Sequence, residues 1–147
     1  MIRKVKPEDK AVFLAMTDTF YHSDAVLHPV PLEVQERVFE EAISSDLYLE
    51  AYLFEYEDEV AGYAVINKSF STEVGGLIVW IEDIYVKPEF RSKSLGRAFF
   101  AFLETHFSGT VKRFRLEVDY ENRKAISLYQ KMGFSELPYL QMVKDQP

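Results

Sequence analysis

Residues 82–97, EDIYVKPEFRSKSLGR, decide the fold of this chain. They follow the apolar run Leu77–Ile81, and this nearly continuous apolar character predicts a strand that is buried on both faces. Pro88 ends the strand, and a basic loop then leads into a helix. The residues that would face inward from that helix recur at helical spacing: Leu95, Ala98, Phe99, Phe102 and Leu103.

The loop between this strand and this helix has the chemistry of an anion site. Helix N-termini carry unpaired N–H groups and a partial positive charge, so phosphate groups bind there. Gly96 allows close approach of a ligand to the backbone. The loop also supplies three cations within seven residues: Arg91, Lys93 and Arg97. The alternative interpretation is a basic turn whose charges are only solvated.

A second informative segment lies near the C-terminus. Asn122 is a suitable N-cap for a helix that carries Ala125, Leu128, Tyr129 and Met132 on one face. Gly133 follows where a helix C′ residue is expected. The segment therefore predicts a capped helix over residues 122–132.

Strand-like and helix-like segments alternate through the rest of the chain without repeats or linkers. The predicted order is β-α-α-β-β-β-α-β-α-β, which indicates a mixed sheet with helices on its faces. The predicted strands are Ile2–Lys6, Tyr48–Tyr56, Val60–Phe70, Leu77–Val86, Phe114–Val118 and Leu140–Val143. Helices are predicted after Pro7 and Pro31, over Ser94–Phe107, and after Asn122.

Composition excludes several classes of function. The absence of cysteine removes disulfides, thiolate metal sites and cysteine nucleophiles. A net charge of −7 disfavours nucleic acid as a partner and favours a cationic substrate such as an amine, although solubility alone also accounts for it. Because no apolar run is long enough for a membrane span and no signal-peptide pattern is present, we expect a soluble cytoplasmic protein.

The two motifs together resemble a known family. Arg91-x-x-Ser94-x-Gly96, preceded by Ile84-Tyr85-Val86-x-Pro88, resembles the acetyl-CoA-binding signature of the GNAT superfamily of N-acetyltransferases. The segment from Asn122 to Phe134 resembles the other conserved segment of that family. The resemblance implies an α/β (α+β) fold in one domain, residues 1–147. It implies a mixed, mostly antiparallel sheet of six to seven strands with helices on both faces.

The resemblance also implies a function: acetyl-CoA as co-substrate and transfer of its acetyl group to a primary amine. Glu82 is the expected general base, acting through an ordered water, because an ionised residue in so apolar a strand is costly without a role or partner. The match of Glu82-Asp83 to the polyamine and thialysine acetyltransferase branch supports this. A structural acid at a β-bulge is the alternative for either carboxylate. Tyr129 is the expected general acid; the alternative is a core tyrosine.

The resemblance assigns the cofactor-binding residues. We expect the pantetheine arm to pair with Ile84, Tyr85 and Val86 like an added strand, beside a β-bulge near Glu82–Ile84. Asn122 contacts the arm in the family, or serves only as a cap. The pyrophosphate is expected on the backbone of Arg91, Ser92, Lys93, Ser94, Leu95, Gly96 and Arg97. Ser94 departs from the signature, which has glycine there; serine can still donate its N–H and hydroxyl to a phosphate.

The acceptor side is defined less sharply. Substrate contacts are expected from Tyr21, Asp24, Glu82, Asp83 and Tyr85, with Asp83 on the face opposite to Glu82 by strand alternation. No metal is expected, since His22 and His28 lack a third convergent ligand. A peptide N-terminus as acceptor, and a non-catalytic acyl-CoA-binding module, stay open as alternatives. A homodimer formed through Tyr139–Met142 is a further expectation.

Overall fold

The computed structural model describes residues 1–147, which form two compact units, Met1–Glu117 and Val118–Pro147. The first unit contains β1 (Ile2–Lys4), α1 (Lys10–Tyr21), α2 (Leu32–Ser44), β2 (Leu49–Tyr56), β3 (Glu59–Ser71), β4 (Gly76–Val86), α3 (Leu95–His106) and β5 (Val111–Leu116). The second unit contains α4 (Arg123–Lys131). The single domain over residues 1–147 stays a prediction.

The sheet has five strands in the order β1-β2-β3-β4-β5. Three neighbouring pairs are antiparallel and β4–β5 is parallel, which confirms a mixed, mostly antiparallel sheet. The expectation of six to seven strands is wrong, because Leu140–Val143 forms no strand. That segment follows Pro138, which cannot donate to a ladder, and its side chains bury no face: Leu140 is 88% exposed and Val143 90%.

Helices cover both faces of the sheet, as predicted. On one face, Phe13 of α1 packs against Phe39 of α2 and against Tyr63 of β3, with ring centroids 5.3 and 5.1 Å apart. On the other face, Phe99 of α3 packs against Phe54 of β2 at 5.3 Å. Truncating such a buried phenylalanine to alanine costs about 3–5 kcal/mol, so these contacts hold the helices on the sheet.

The β2–β3 hairpin shows how local sequence sets register. Glu57 and Asp58 both have positive φ, 49° and 66°, and Tyr56 pairs with Glu59 across this two-residue turn. Positive φ at both central positions is the geometry of a type I′ turn, whose twist matches the strands. Gly62 then allows β4 to come close, since a Cβ there would lie 2.2 Å from the Tyr85 carbonyl oxygen.

The central strand β4 is irregular at one residue. Val65 pairs with Asp83 and Ile66 with Ile81, so Glu82 is the extra residue of a β-bulge. The bulge predicted near Glu82–Ile84 is therefore confirmed. Pairing of β4 with β5 stops at Ile81, while β4 continues along β3 to Val86. Residues 82–86 consequently leave one backbone edge of β4 without a strand partner.

Helix α4 is delimited as its sequence predicts. The Asn122 side chain accepts a hydrogen bond from the Ala125 N–H at 3.2 Å, which confirms the N-cap. Gly133 has φ 94°, and the Phe134 N–H donates to the Tyr129 carbonyl, the pattern of a Schellman end.

Candidate active site

The bulge places the two neighbouring carboxylates on one face of the sheet. Asp83 accepts a hydrogen bond from Tyr63, and Glu82 accepts one from the Asn67 amide. Tyr63 and Asn67 lie four residues apart on a regular strand, so their side chains share a face. The expectation that Asp83 points to the opposite face from Glu82 is therefore wrong, because the extra residue interrupts the alternation.

Asp83 is a buried carboxylate, 5% exposed, held by two phenols. The Tyr21 hydroxyl donates to its oxygens at 2.7 and 2.8 Å, and the Tyr63 hydroxyl donates at 3.1 Å. Burial raises the pKa of Asp83, and the two hydrogen bonds counteract only part of that rise. The same burial and the nearby negative charge raise the pKa of Tyr21. These bonds also tie the last turn of α1 to the bulge.

Glu82 lies at the surface beside Asp83, and Asn67 orients its carboxylate. Loss of solvent around the carboxylate raises its pKa, and the negative charges of Asp83 and Glu117 raise it further. The hydrogen bond from Asn67 acts in the opposite direction. A glutamate whose pKa is raised is a stronger base than an ordinary one.

The loop before α3 turns its backbone outward. Ser92 and Ser94 both occupy the left-handed region, with φ 66° and 60°. The N–H groups from Ser92 to Arg97 donate to no protein acceptor. A Cβ on Gly96 would touch only the Ile84 Cδ1 atom, at 3.8 Å, so the space beside Gly96 is open. This arrangement suits an anion with several oxygens.

Two of the three basic side chains in this loop are held in place. The Arg91 Nε donates to the Val86 carbonyl at 3.1 Å, and the Lys93 ammonium lies 5.6 Å from the centre of the Tyr56 ring. Arg97 is exposed on the first turn of α3. The loop therefore presents positive charge along with its free N–H groups.

A cavity of about 290 Å³ joins this loop to the end of α1. Of the expected substrate residues, Tyr85 lines this cavity, whereas Tyr21, Asp24, Glu82 and Asp83 do not. Asp24 is exposed on the loop after α1. Its lining is Thr19, Phe20, Ser23, Ala25, Ile84, Tyr85, Val86, Pro88 and Arg91.

The second unit carries the other two predicted residues. Tyr129 is half-buried on α4, with its ring centroid 6.0 Å from that of Phe134. Burial raises the pKa of Tyr129, so its phenol keeps its proton at neutral pH. Asn122 is exposed, and its side-chain oxygen is engaged in the cap described above.

Other chemistry-bearing residues lie outside this site. The His22 Nδ1 contacts the Asp18 carbonyl oxygen at 2.8 Å. No three His, Cys, Asp or Glu side chains converge in a way that would hold a metal ion. None of the helices combines the length and apolarity needed to cross a membrane.

Sequence reasoning missed Tyr63 and Asn67, which orient the two carboxylates. Asn67 is a polar residue at the end of an otherwise apolar stretch of β3, and this was the available signal. Its partner could not be identified without the register across the bulge.

Comparison with known proteins places the chain in a family. The Acetyltransferase (GNAT) family profile matches residues 14–134, so the chain belongs to the GNAT acetyltransferase family. A stretch of 79 residues is 35% identical to the thialysine N-epsilon-acetyltransferase of Sus scrofa. This match covers 53% of the present chain but 46% of the relative, so the chain spans about half the length of that relative.

Solved structures share the fold over nearly the whole chain. A possible acetyltransferase from Clostridium difficile 630 aligns with a TM-score of 0.86 at 17% identity, covering 100% of this chain and 97% of the other. Glucosamine-6-phosphate N-acetyltransferase from Arabidopsis thaliana aligns with a TM-score of 0.72 at 27% identity, covering 99% and 97%.

Proposed function

We propose that this protein transfers the acetyl group of acetyl-CoA to the primary amine of a small molecule, by direct attack in a ternary complex. The observation that carries the proposal is the bulge in β4, which presents Glu82 at the point where β4 loses its β5 partner. Acetyl-CoA supplies an acyl group already activated as a thioester. The residues of the chain bind the cofactor, orient the acceptor amine and transfer protons.

The free edge of β4 and the loop before α3 suit the cofactor. The edge of Ile84–Val86 that has no strand partner offers backbone hydrogen-bonding groups to the amides of a pantetheine arm, although its Val86 carbonyl already accepts from Arg91. The free N–H groups of residues 92–97 suit its pyrophosphate, with Arg91 and Arg97 adding positive charge. Because backbone N–H groups would bind the pyrophosphate, Ser94 can replace the glycine of the signature.

Glu82 is the proposed general base. An alkylamine has a pKa near 10.4, so it arrives protonated and must lose a proton before its nitrogen can attack. The Glu82 carboxylate accepts that proton through an ordered water, and its raised pKa suits this role near neutral pH. Asn67 keeps the carboxylate oriented throughout.

The pair of Asp83 and Tyr21 is proposed to attract the acceptor. Asp83 is a buried carboxylate whose partners are neutral phenols rather than a cation. Its negative field therefore favours an ammonium group at the bulge, beside Glu82. Tyr85, in the wall of the nearby cavity, is a further proposed contact. Asp24, exposed on the neighbouring loop, is a second proposed contact for a cationic acceptor.

Tyr129 is the proposed general acid. Its phenol is protonated at neutral pH and carries a proton that the departing thiolate needs. Asn122 is proposed to contact the cofactor arm through its amide nitrogen, since its oxygen caps α4. The similarity to thialysine N-epsilon-acetyltransferase supports a small amine as the acceptor.

The test is thiol release from acetyl-CoA with separate panels of polyamines, amino acids and peptides with free N-termini. The proposal expects turnover with one class of small amine and little with peptides. Turnover with peptides alone would replace the acceptor class. Calorimetric binding of acetyl-CoA without any turnover would favour a non-catalytic acyl-CoA-binding module.

A further inference from the structure

A stacked arginine lies on the same sheet face as Glu82. The Arg115 guanidinium carbon is 4.1 Å from the centre of the Trp80 ring, and these residues pair across β4 and β5. Trp80 also pairs with Asn67, whose side chain contacts Glu82. Paired residues share a face, so the stack and the proposed base lie on one surface.

Arg115 forms no ion pair, unlike the arginine two residues before it. Its strand neighbour Arg113 contacts Glu73 at 2.6 Å, whereas Arg115 contacts only the indole ring. A guanidinium stacked on an aromatic ring is held flat and keeps its N–H edges free. Such a fork matches the two oxygens of a carboxylate.

The spacing between Arg115 and Glu82 suits a short bifunctional molecule. Arg115 lies opposite Trp80, and Glu82 is two residues further along β4. Two residues of strand span roughly 7 Å, and neighbouring strands are about 4.8 Å apart. The two side chains are therefore separated by about the length of an amino acid that has an amine at the end of its side chain.

We propose that Arg115, held on Trp80, binds the carboxylate of an acceptor whose amine lies at Glu82. The acceptor class is then an amino acid that reacts at its side-chain amine, rather than a polyamine. This inference rests on the proposed function and specifies its substrate.

The charges on this face are complementary to such a zwitterion. Glu82 and Glu117, with Asp83 beside them, favour the ammonium end, and Arg115 is the free cation for the carboxylate end. A polyamine would bring a second ammonium towards Arg115 and be repelled by it. Arg115 thereby discriminates between acceptors of similar length.

Trp80 is the only tryptophan, so its fluorescence reports directly on this stack. We would titrate lysine, thialysine, lysinamide and cadaverine into the wild-type protein, with and without coenzyme A, and follow tryptophan emission. The variants are Arg115→Gln and the matched Arg113→Gln, which removes the same charge from the same strand. Thiol release would be measured in parallel for each acceptor.

The proposal expects a saturable emission change with an amino acid, at least tenfold weaker binding of its amide or decarboxylated form, and loss of this preference in Arg115→Gln but not in Arg113→Gln. Equal responses to lysine and lysinamide, or an unchanged preference in Arg115→Gln, would overturn it. These outcomes are read from ligand binding, through tryptophan emission. The proposed function would fail in a different measurement, namely by the absence of thiol release with every amine.

Discussion

The loop before α3 and the bulge in β4 lie close together in the chain but use different parts of their residues. In the loop, the proposed functional groups are the N–H groups of residues 92–97, and Ser92 and Ser94 both have a left-handed backbone. At the bulge, the proposed functional groups are the carboxylates of Glu82 and Asp83, which accept hydrogen bonds from Asn67 and Tyr63 respectively.

This difference indicates which positions should tolerate a substitution of their side chain. A site made from backbone groups survives a change of side chain, provided the backbone keeps its path. A site made from side chains loses its function when one atom is replaced. The following substitutions test that contrast, beginning with the largest expected effect.

Glu82→Gln should have the largest effect, because it removes the proposed base while keeping the shape. We expect kcat/KM to fall about 100-fold near neutral pH, within the usual range for a general base. The remaining activity should shift to higher pH, where more of the amine is already neutral. Steady-state rates between pH 5 and 10 would measure both effects, with Glu104→Gln, at an exposed glutamate of α3, as the charge-matched control. An unchanged profile would assign the base elsewhere.

Tyr129→Phe tests the proposed acid in the second unit. We expect the maximal rate to fall at least tenfold, since the phenyl ring cannot protonate the thiolate, with little change in acetyl-CoA affinity. Stopped-flow rates and calorimetry would separate the two quantities. Tyr120→Phe, at an exposed tyrosine of the same unit, is the control. A full rate in Tyr129→Phe would remove this residue from the mechanism.

Arg91→Ala tests the cationic contribution of the loop. Removing one charge-assisted contact should weaken acetyl-CoA binding roughly tenfold. The variant also loses the bond from Arg91 to the Val86 carbonyl, so the end of β4 becomes less constrained. Calorimetry would be compared with Arg37→Ala, an exposed arginine on α2. Equal affinity of wild type and Arg91→Ala for acetyl-CoA would mean that the Arg91 side chain does not contribute to binding the anion.

Asp83→Asn should stabilise the protein while harming its use of cationic acceptors. The pKa of Asp83 is raised in the folded state, so ionisation costs stability as pH rises above the ordinary aspartate pKa of about 4. The Tm of Asp83→Asn should equal that of the wild type near pH 3.5 and exceed it increasingly as pH rises. Each kcal/mol gained in the free energy of unfolding should raise Tm by about 2–4 °C. Asp24→Asn is the exposed control; a pH-independent difference would contradict this explanation.

Ser94→Gly should have the smallest effect. Glycine adopts φ 60° without strain but makes the unfolded chain more flexible, and these contributions nearly cancel. We expect acetyl-CoA affinity to stay within about threefold, because the N–H groups are unchanged. A large gain in affinity would mean that Ser94 limits the cofactor site. Ser94→Val, with a β-branched residue in the left-handed region, should instead be destabilised.

Much of the fold follows from local patterns in the sequence. The cap at Asn122 and the central strand Leu77–Val86 depend on residues close together in the chain, and each was predictable. The absence of a strand at Leu140–Val143 was not predictable from local pattern, because a short apolar segment forms a strand only where a partner edge accepts it.

The loop between β4 and α3 was predictable for the same reason, although its role in binding a cofactor stays a prediction. The arrangement of the two carboxylates was only partly predictable. The bulge was expected near Glu82, yet strand alternation then assigned Asp83 to the wrong face. The partners Tyr21, Tyr63 and Asn67 come from other elements, and only the three-dimensional register brings them to the bulge.

A crystal structure with coenzyme A and a turned-over amine would test the central claim most directly. The account predicts the pyrophosphate on the N–H groups of residues 92–97. It also predicts the acceptor nitrogen within about 3 Å of the Glu82 carboxylate or of a water bound to it. An acceptor bound away from the bulge, with Glu82 contacting neither the amine nor such a water, would contradict the account.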